Sequence, residues 1–117
     1  MNTYRELIVW QKSIELVIEI YKLTNLFPTE EKFGLISQMK RCSISIPSNI
    51  AEGYARKNKK ENAHFINISF GSATELETQI IISKKLNFIN NNQWEKVDQL
   101  LLEVLRMLYK YRQALYT

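Results

Sequence analysis

The sequence is poor in the residues that bind metals, form disulfides and punctuate turns. Its 117 residues include one cysteine, one histidine, three glycines and two prolines. One cysteine cannot form a disulfide within the chain, and one cysteine with one histidine cannot complete a zinc site of Cys and His ligands. A β-sandwich or barrel needs a turn about every 8–12 residues, which so few glycines and prolines do not supply. These absences favour a helical fold.

The length and hydropathy of the chain favour one soluble unit. A chain of 117 residues suits a single domain over residues 1–117, because two cores would each have about half that length. No apolar run approaches the roughly 18–20 residues of a membrane span, and the first residues lack a signal-peptide pattern. We therefore expect a cytoplasmic protein that does not enter a membrane.

Four segments carry apolar or small residues at steps of mostly three and four, which is the spacing of one helical face. The expected inward faces are Leu7, Trp10, Ile14, Val17 and Tyr21 in the first segment; Leu35, Met39, Cys42, Ile46, Ile50 and Gly53 in the second; Phe65, Ile68, Ser72, Leu76, Ile80 and Ser83 in the third; and Trp94, Val97, Leu101, Val104, Leu108, Tyr111 and Leu115 in the fourth. Four helices joined by short connections predict an all-α fold, an antiparallel up-down-up-down four-helix bundle.

Proline and asparagine residues mark special points along these helices. The second helix is expected to be kinked or broken near Pro47, because proline removes a backbone hydrogen bond and crowds the preceding turn. Asn58 with Glu61 resembles a capping box and predicts the start of the third helix. Asn92 with Glu95 repeats the pattern and predicts the start of the fourth.

The helices carry more apolar residues than one inward face can hold. The additional residues are Ile8, Leu16, Ile18, Ile20 and Leu23 in the first segment, Ile81 and Ile82 in the third, and Leu102, Leu105, Tyr109 and Tyr116 in the fourth. Leaving such a side chain in water forfeits about 1.5–3 kcal/mol, and large exposed apolar patches usually mark an interface. We therefore expect a homo-oligomer joined through these second faces. The alternative is a small bundle that wraps these residues within itself.

The positive charge of the chain is concentrated in one segment. Residues 40–60 carry a net charge of +5, whereas the rest of the chain carries −1. The basic residues of this segment are Lys40, Arg41, Arg56, Lys57, Lys59 and Lys60. Such a cluster suits the phosphate backbone of RNA or DNA, to which Asn58 and Asn62 could add hydrogen bonds. The alternative is a solvated corner between two helices, kept soluble by its lysines.

The residues that could support catalysis are too few to predict an enzyme. Glu61 and His64 have the Glu-x-x-His spacing of carboxylate-bridged di-iron bundles, but those sites need a second such pair. Cys42 lies on the apolar face of the second helix, and His64 is the only imidazole that could activate it. We predict no catalytic residue, metal or cofactor. Serines near Pro47 are expected to bond to carbonyls that the proline frees. These are Ser43, Ser45 and Ser48.

Two glutamates lie next to small residues, where helix backbones can approach closely. Glu52 precedes Gly53, and Glu75 follows Gly71, Ser72 and Ala73. A carboxylate at a close helix contact needs a partner, for which an arginine is suited. The alternative is that both carboxylates face water. The candidate partners are Arg41 and Arg56.

One motif is specific enough to indicate a family. Residues 45–53 read Ser-Ile-Pro-Ser-Asn-Ile-Ala-Glu-Gly. Accompanying residues are Phe27-Pro28, Phe33-Gly34-Leu35, Gln38-Met39-Lys40-Arg41, Phe65, Gly71-Ser72-Ala73 and Glu75-Leu76. Over roughly residues 5–115 the chain resembles the four-helix bundle family encoded in intervening sequences of bacterial large-subunit (23S) ribosomal RNA genes. Cys42-Ser43 and Ser69 stand where this family tends to have alanines.

The resemblance implies a bundle that assembles as a ring of five subunits. It also implies kinship with accessory proteins of diversity-generating retroelements, which bind nucleic acid and a reverse transcriptase. The residues it marks are structural or rim positions: Arg41, Asn49, Glu52, Gly53, Arg56, Gly71 and Glu75. The predicted function is a non-catalytic, ring-forming bundle that binds RNA or DNA through a basic rim. The alternative is a protein-interaction scaffold or accessory subunit without direct nucleic-acid binding.

Overall fold

A computed structural model describes residues 3–117 and gives four α-helices in this part of the chain. Their bounds are Ile8–Thr24 (α1), Leu35–Tyr54 (α2), Lys59–Lys85 (α3) and Glu95–Leu115 (α4). Short 3-10 helices precede α1, α2 and α4, at Tyr4–Glu6, Thr29–Glu31 and Asn91–Trp94. The all-α prediction is confirmed. None of the helices in the described part of the chain is long and apolar enough to cross a membrane.

The four helices pack antiparallel to one another, and each helix contacts two neighbours. Contacts join α1 to α2, α2 to α3, α3 to α4 and α4 back to α1. At one end, Lys84 in the last turn of α3 forms a 2.6 Å ion pair with Asp98 in the first turn of α4. At the other end, Asn67 Nδ2 of α3 donates to the hydroxyl of Tyr116, which follows α4, at 3.1 Å. These contacts confirm the up-down-up-down bundle, which measures 44 × 25 × 24 Å.

The core is one cluster to which all four helices contribute. The predicted seam of α4 is confirmed, because Trp94, Val97, Leu101, Val104 and Leu108 are all buried. The predicted face of α2 is confirmed over most of its length. Met39, Cys42, Ile46 and Ile50 are buried there. The seam of α4 has the most regular apolar spacing in the chain, with alternating steps of three and four, and the stripe of α2 is flanked mostly by polar residues.

The predicted inward face of α1 is wrong. Leu16 and Ile20 are fully buried, although the spacing assigned them to a second face. Trp10, Ile14 and Val17 are only half-buried and line a groove between α1 and α2. Because α1 is apolar on two adjacent faces, its spacing does not distinguish the face toward the core from the face toward one neighbour. The positions of the other three helices decide between them.

The first half of α3 is also rotated relative to the prediction. Ile66 and Ala73 are fully buried, whereas Ile68 is 39% exposed and Ser72 is half-buried. In the second half, Leu76 and Ile80 are buried as predicted. The first half of the inward face consists mostly of small and polar side chains. Their low hydrophobicity gives this face little apolar spacing in the sequence.

Of the kink or break expected near Pro47, the break does not occur, since α2 stays helical on both sides of the proline. Side-chain donors reach the carbonyls of the two residues before it. Asn49 Nδ2 donates to the carbonyl of Ser45 at 2.8 Å, and Ser69 Oγ of α3 donates to the carbonyl of Ile46 at 2.9 Å. Ser43 Oγ donates back to its own helix, to the carbonyl of Lys40, at 2.9 Å. The first two of these bonds tie the turn before Pro47 to Asn49 and to α3.

Ser45 does not form the expected back-bond. Its hydroxyl instead hydrogen-bonds across the helices to the hydroxyl of Ser72 at 2.8 Å. Ser48 is exposed and lines the groove between α1 and α2. Within the described residues, none of the three serines donates to the carbonyl of Ser43, which is the carbonyl that Pro47 leaves without its helical N–H, so the predicted role is wrong; Ser43 does back-bond, but to Lys40.

One of the two predicted helix starts is correct. Asn58 is the N-cap of α3, and its Oδ1 accepts a hydrogen bond from the backbone N–H of Glu61 at 2.8 Å. The second start is shifted. Asn90 forms a capping box with Gln93 ahead of a 3-10 turn, and α4 itself begins at Glu95. Asn90, Asn91 and Asn92 are equally suited to cap a helix, so the spacing alone does not identify Asn90 as the cap.

The surplus apolar residues divide between the core and the surface. Leu16, Ile20 and Leu23 are buried inside the bundle. Many exposed ones lie in the half of the bundle that contains the α1–α2 and α3–α4 connections, which we call the apolar half. They are Ile18, Tyr21, Leu26, Phe33, Ile81, Ile82, Leu86 and Leu102. In this half the bundle therefore leaves apolar surface uncovered.

Candidate nucleic-acid interface

The connection between α2 and α3 holds four exposed cations within five residues. Arg56, Lys57, Lys59 and Lys60 are all exposed. The connection is short because α2 ends at Tyr54 and the Asn58 cap starts α3 at Lys59. The structure therefore brings these four predicted site residues together on one corner of the bundle.

Arg56 is the most firmly positioned of the four. Its Nη2 donates to Glu52 Oε1 at 2.8 Å, one helical turn earlier, and its guanidinium carbon lies 4.7 Å from the centroid of the Phe65 ring. Arg56, one of the two arginines expected to pair with a glutamate, is therefore the partner of Glu52. The pair is largely exposed, so its contribution to stability is at most about 1 kcal/mol. The contact instead fixes the direction of the guanidinium group.

Lys40 and Arg41 do not join this corner. They lie in the first half of α2, about 24 Å along the helix from Arg56. The ammonium group of Lys40 lies 4.7 Å from the centroid of the Tyr21 ring in α1, while Arg41 is exposed. The structure therefore divides the six predicted residues into a group of four and a group of two.

The last part of α4 adds cations that the sequence interpretation missed. Residues 104–117 contain Arg106, Lys110 and Arg112 and no acidic residue. Antiparallel packing places the end of α4 beside the start of α3. We call this end of the bundle, formed by the α2–α3 connection and the last turns of α4, the basic end. The charge pattern of the sequence contains these cations, but they lie about 50 positions or more from Arg56 and therefore outside residues 40–60, the segment identified as basic.

A groove between α3 and α4 runs toward the basic end. Its upper part has a volume of about 650 Å³, and its lining includes Arg106, Tyr109 and Lys110 from α4. Its lower part is lined by Lys59 and Lys60 of α3 among others. We call the two parts together the α3–α4 groove. The two parts are adjacent, because Arg112 contacts Phe70 in the upper part and Asn67 in the lower part, and cations of α3 and α4 line them.

The two asparagines considered as phosphate ligands are both engaged in the fold. Asn58 caps α3, and its Nδ2 also donates to Glu61 Oε2 at 3.0 Å. Asn62 Nδ2 donates to the hydroxyl of Tyr111 at 3.3 Å, and its Oδ1 is buried without a hydrogen-bond partner. Asn62 packs directly against Gly53 of α2. Neither side chain has its hydrogen-bonding groups free toward solvent in the way the sequence interpretation assumed.

The residues considered for catalysis are separated in the structure. Cys42 is buried, and its Sγ donates to the carbonyl of Ser72 at 2.9 Å. Burial, with a smaller contribution from the Glu75 carboxylate, raises the pKa of the Cys42 thiol to about 12. His64 is exposed and lies two turns of α3 from Ser72, or about 12 Å. A thiol held protonated and away from the imidazole is a packing residue rather than a nucleophile.

Metal ligands are likewise not assembled. Glu61 is tied to the Asn58 cap, and the ring of His64 lies edge-on to Phe65, with 5.1 Å between ring centroids. Across residues 3–117, no three His, Cys, Asp or Glu side chains gather closely enough to hold a metal ion.

The two glycine sites differ in how closely they approach a neighbouring helix. Gly53 is buried against Asn62 and Phe65, as the sequence interpretation expected. Gly71 is exposed and faces open space, whereas Ala73 is buried and Ser72 hydrogen-bonds to α2, so the expected contact is wrong for Gly71 alone. Glu75 is exposed, and its Oε2 accepts a hydrogen bond from Gln79 Nε2 at 3.3 Å. The structure therefore favours the alternative in which the Glu75 carboxylate faces water.

Comparison with known proteins is informative about the family and the fold. A crystal structure at 1.70 Å of a protein with unknown function from the S23 ribosomal protein family, from Bacteroides thetaiotaomicron, is similar to this chain with a TM-score of 0.82 and 24% identity. The match covers 90% of this chain and 98% of that one, which supports the bundle fold. A search of curated proteins gives no significant match. The sequence model of a family described as 23S rRNA-intervening sequence protein matches residues 5–110. Because this match spans nearly the whole bundle, the chain belongs to the 23S rRNA-intervening sequence protein family.

Proposed function

We propose that this chain is a non-catalytic bundle that assembles as a ring and binds RNA or DNA through its basic end. The observation that carries the proposal is the exposed cluster of Arg56, Lys57, Lys59 and Lys60, which the end of α4 extends with Lys110 and Arg112. Each phosphate that such cations neutralise releases counterions, and this release drives binding without base recognition.

The position of the lysines favours a binding role over a stabilising one. Lys59 and Lys60 lie in the first turn of α3. The helix dipole places partial positive charge there, so cations at this position are unfavourable by up to about 1 kcal/mol. An anion bound at the corner would reverse that repulsion. Glu61 offsets only part of it, because one carboxylate in this turn stands against two lysines.

Assembly as a ring is supported by the distribution of apolar surface. Trp10, Ile14, Val17 and Ile44 line a groove between α1 and α2, while Ile81 and Leu102 are exposed on α3 and α4 on the opposite side. Contact between two different faces of identical subunits is heterologous and generates a ring when the rotation closes. A ring would repeat the basic end around one rim, so that several modest patches act together on one ligand. The family resemblance favours five subunits.

Light scattering and binding measurements test the two parts of the proposal separately. A ring of five copies has about five times the monomer mass of 13.9 kDa. A compact 13.9 kDa particle at all concentrations would contradict assembly. Affinity for structured RNA and for duplex DNA should fall steeply between about 50 and 200 mM salt. A flat dependence on salt would contradict binding to phosphates.

A matched pair of charge variants locates the binding surface. Replacing Arg56, Lys57, Lys59 and Lys60 together with Gln should weaken binding at least tenfold and make the salt dependence shallower, because fewer phosphates are neutralised and fewer counterions are released. The control variant replaces cations of the apolar half, Lys22, Lys32, Lys84 and Lys85, with Gln, and it lowers the net charge of the chain equally. Equal weakening by both variants would show that net charge alone matters, and the basic end would then have no special role.

A second candidate function is a protein-interaction scaffold or accessory subunit that does not touch nucleic acid. It is favoured by the second stripe of α4, where Leu102, Tyr109 and Tyr116 are between 48% and 62% exposed. Aromatic residues are enriched at the centres of protein interfaces. The binding measurement distinguishes the two functions, because a scaffold would show no salt-dependent affinity for RNA or DNA. A reverse transcriptase is the protein partner that the family resemblance favours.

A further inference from the structure

The exposed aromatic rings of the α3–α4 groove are held in place rather than left free. Tyr109 is 49% exposed and Tyr116 is 62% exposed. The Arg112 guanidinium carbon lies 5.6 Å from the centroid of the Tyr109 ring and 4.5 Å from that of Phe70. Arg112 Nη1 donates to Asn67 Oδ1 at 3.4 Å, and Asn67 Nδ2 donates to the Tyr116 hydroxyl at 3.1 Å. One polar chain thus links the two tyrosines along the groove.

The charge around these rings is almost entirely positive. Lys59 and Lys60 line the groove beside Tyr116, and Arg106 and Lys110 line it beside Tyr109. Glu77 is the one carboxylate in the lining of the two described parts. Phosphate contact alone requires cations and no exposed rings. Rings flanked by cations are the combination that binds single strands, because each base presents a flat face to a ring while its phosphate meets a cation.

We infer that the α3–α4 groove binds single-stranded nucleic acid, with bases stacked on Tyr109 and Tyr116 and phosphates held by the flanking cations. This inference rests on the proposed function and specifies its ligand. Bases in a duplex are already stacked on one another, so their faces are not available to the groove. The fixed rings lower the ordering cost of binding, because the side chains have little freedom left to lose.

Charge also separates this groove from the surface expected between subunits. A copy of this chain docked on the groove would cover Arg106, Lys110 and the two lysines of α3. Lysine is depleted at the centres of protein interfaces, because removing an unpaired ammonium group from water is costly. Most of the exposed aliphatic residues that suit such an interface lie in the apolar half instead. A strand of nucleic acid supplies the negative charge that the groove lacks.

Fluorescence anisotropy with three probes tests the inference. The probes are a uridine oligomer of about 12 nucleotides, an abasic oligomer with the same number of phosphates, and a duplex of equal length, within the range of known single-strand site sizes. We expect the uridine oligomer to bind at least tenfold more tightly than the abasic one, since each stacked base contributes about a fivefold or greater gain. Equal affinity for both would overturn the stacking inference.

Substitutions of Tyr109 and Tyr116 test whether their rings cause the difference in affinity between the uridine and abasic oligomers. The double variant Tyr109→Ala with Tyr116→Ala should bind the uridine and abasic oligomers equally, at the abasic affinity of the original chain. The double variant with Phe at both positions should retain most of the preference, because the rings remain. Tyr21→Ala serves as the matched control, since Tyr21 is an exposed tyrosine on α1 in the apolar half. Loss of the preference in this control, or its persistence in the double Ala variant, would overturn the inference.

The remaining outcomes separate this inference from the function it rests on. Steep salt dependence with no difference between the uridine and abasic probes would leave binding through the basic end intact and remove the stacking site. Failure of all three probes to bind would remove both. A lower molecular mass of the double Ala variant in light scattering would show that the rings are covered by another copy of the chain, which also overturns the inference.

Discussion

Replacing two glycines with alanine tests how closely α2 and α3 approach each other. A Cβ atom on Gly53 would lie 2.8 Å from Asn62 Oδ1, 3.0 Å from Phe65 Cβ and 3.1 Å from the carbonyl oxygen of Asn62. A Cβ atom on Gly71 would meet nothing within 4 Å. Both glycines are helical and neither has a positive φ, so the alanine backbone is unstrained at both positions.

The expected effects have opposite signs. Alanine gains up to about 1 kcal/mol over glycine in a helix interior, and Gly71→Ala in the middle of α3 should therefore stabilise the protein by about 0.5–1 kcal/mol. At Gly53 the gain is smaller, because the residue is next to the end of α2. The helices must also move apart to admit the new atom, and overpacking costs about 1–3 kcal/mol. The two variants should thus differ by about 2–3 kcal/mol.

Urea denaturation followed by circular dichroism measures this difference. The variants must be compared at one protein concentration, because assembly would make the apparent stability depend on concentration. Thermal midpoints should differ in the same order, by about 3–5 °C for each kcal/mol in a chain of this length. Equal stabilisation by both substitutions would refute the close packing of α2 on Asn62 and Phe65.

Three further predictions concern Cys42 of α2 and Ser69 of α3, which are both buried. Burial raises the pKa of the Cys42 thiol to about 12, so a thiol reagent at neutral pH should modify it slowly in the folded protein and fast in urea. Rapid modification of the folded protein would contradict the burial. The folded state favours the protonated thiol, so the stability of the protein relative to Cys42→Ala should decline as pH rises above 9.0, the ordinary value of the group. Ser69→Ala removes the hydrogen bond to the carbonyl of Ile46 and should cost about 0.5–1.5 kcal/mol in urea denaturation. Thr74→Ala, which removes an exposed bond to the helix backbone, is its control and should be near neutral.

The sequence predicted most of the fold because the helices are strongly patterned. The seam of α4 and most of the inward face of α2 were identified correctly, because the α4 seam repeats regularly at steps of three and four and mostly polar residues flank the α2 stripe. The inward face of α1 was not, because Leu16 and Val17 belong to two adjacent apolar faces that spacing cannot rank. The inward face of α3 begins with Ala63, Ile66 and Ser69, and a search for large apolar residues overlooks such a face.

The candidate site was predicted only where its residues are neighbours in the chain. Arg56, Lys57, Lys59 and Lys60 form one corner because five consecutive residues cannot be far apart. Lys40 was grouped with them by sequence distance, but the length of α2 separates it from the corner.

The amino-acid sequence by itself determined that the chain forms four helices, where α3 begins, and that its cations are unevenly distributed. These properties depend on residues within a few positions of one another. Tertiary structure decided which face of α1 is buried, whether α2 breaks at Pro47, and which distant cations share a surface. Those outcomes depend on contacts between helices, and the α3–α4 groove exists only because antiparallel packing places the end of α4 against the start of α3.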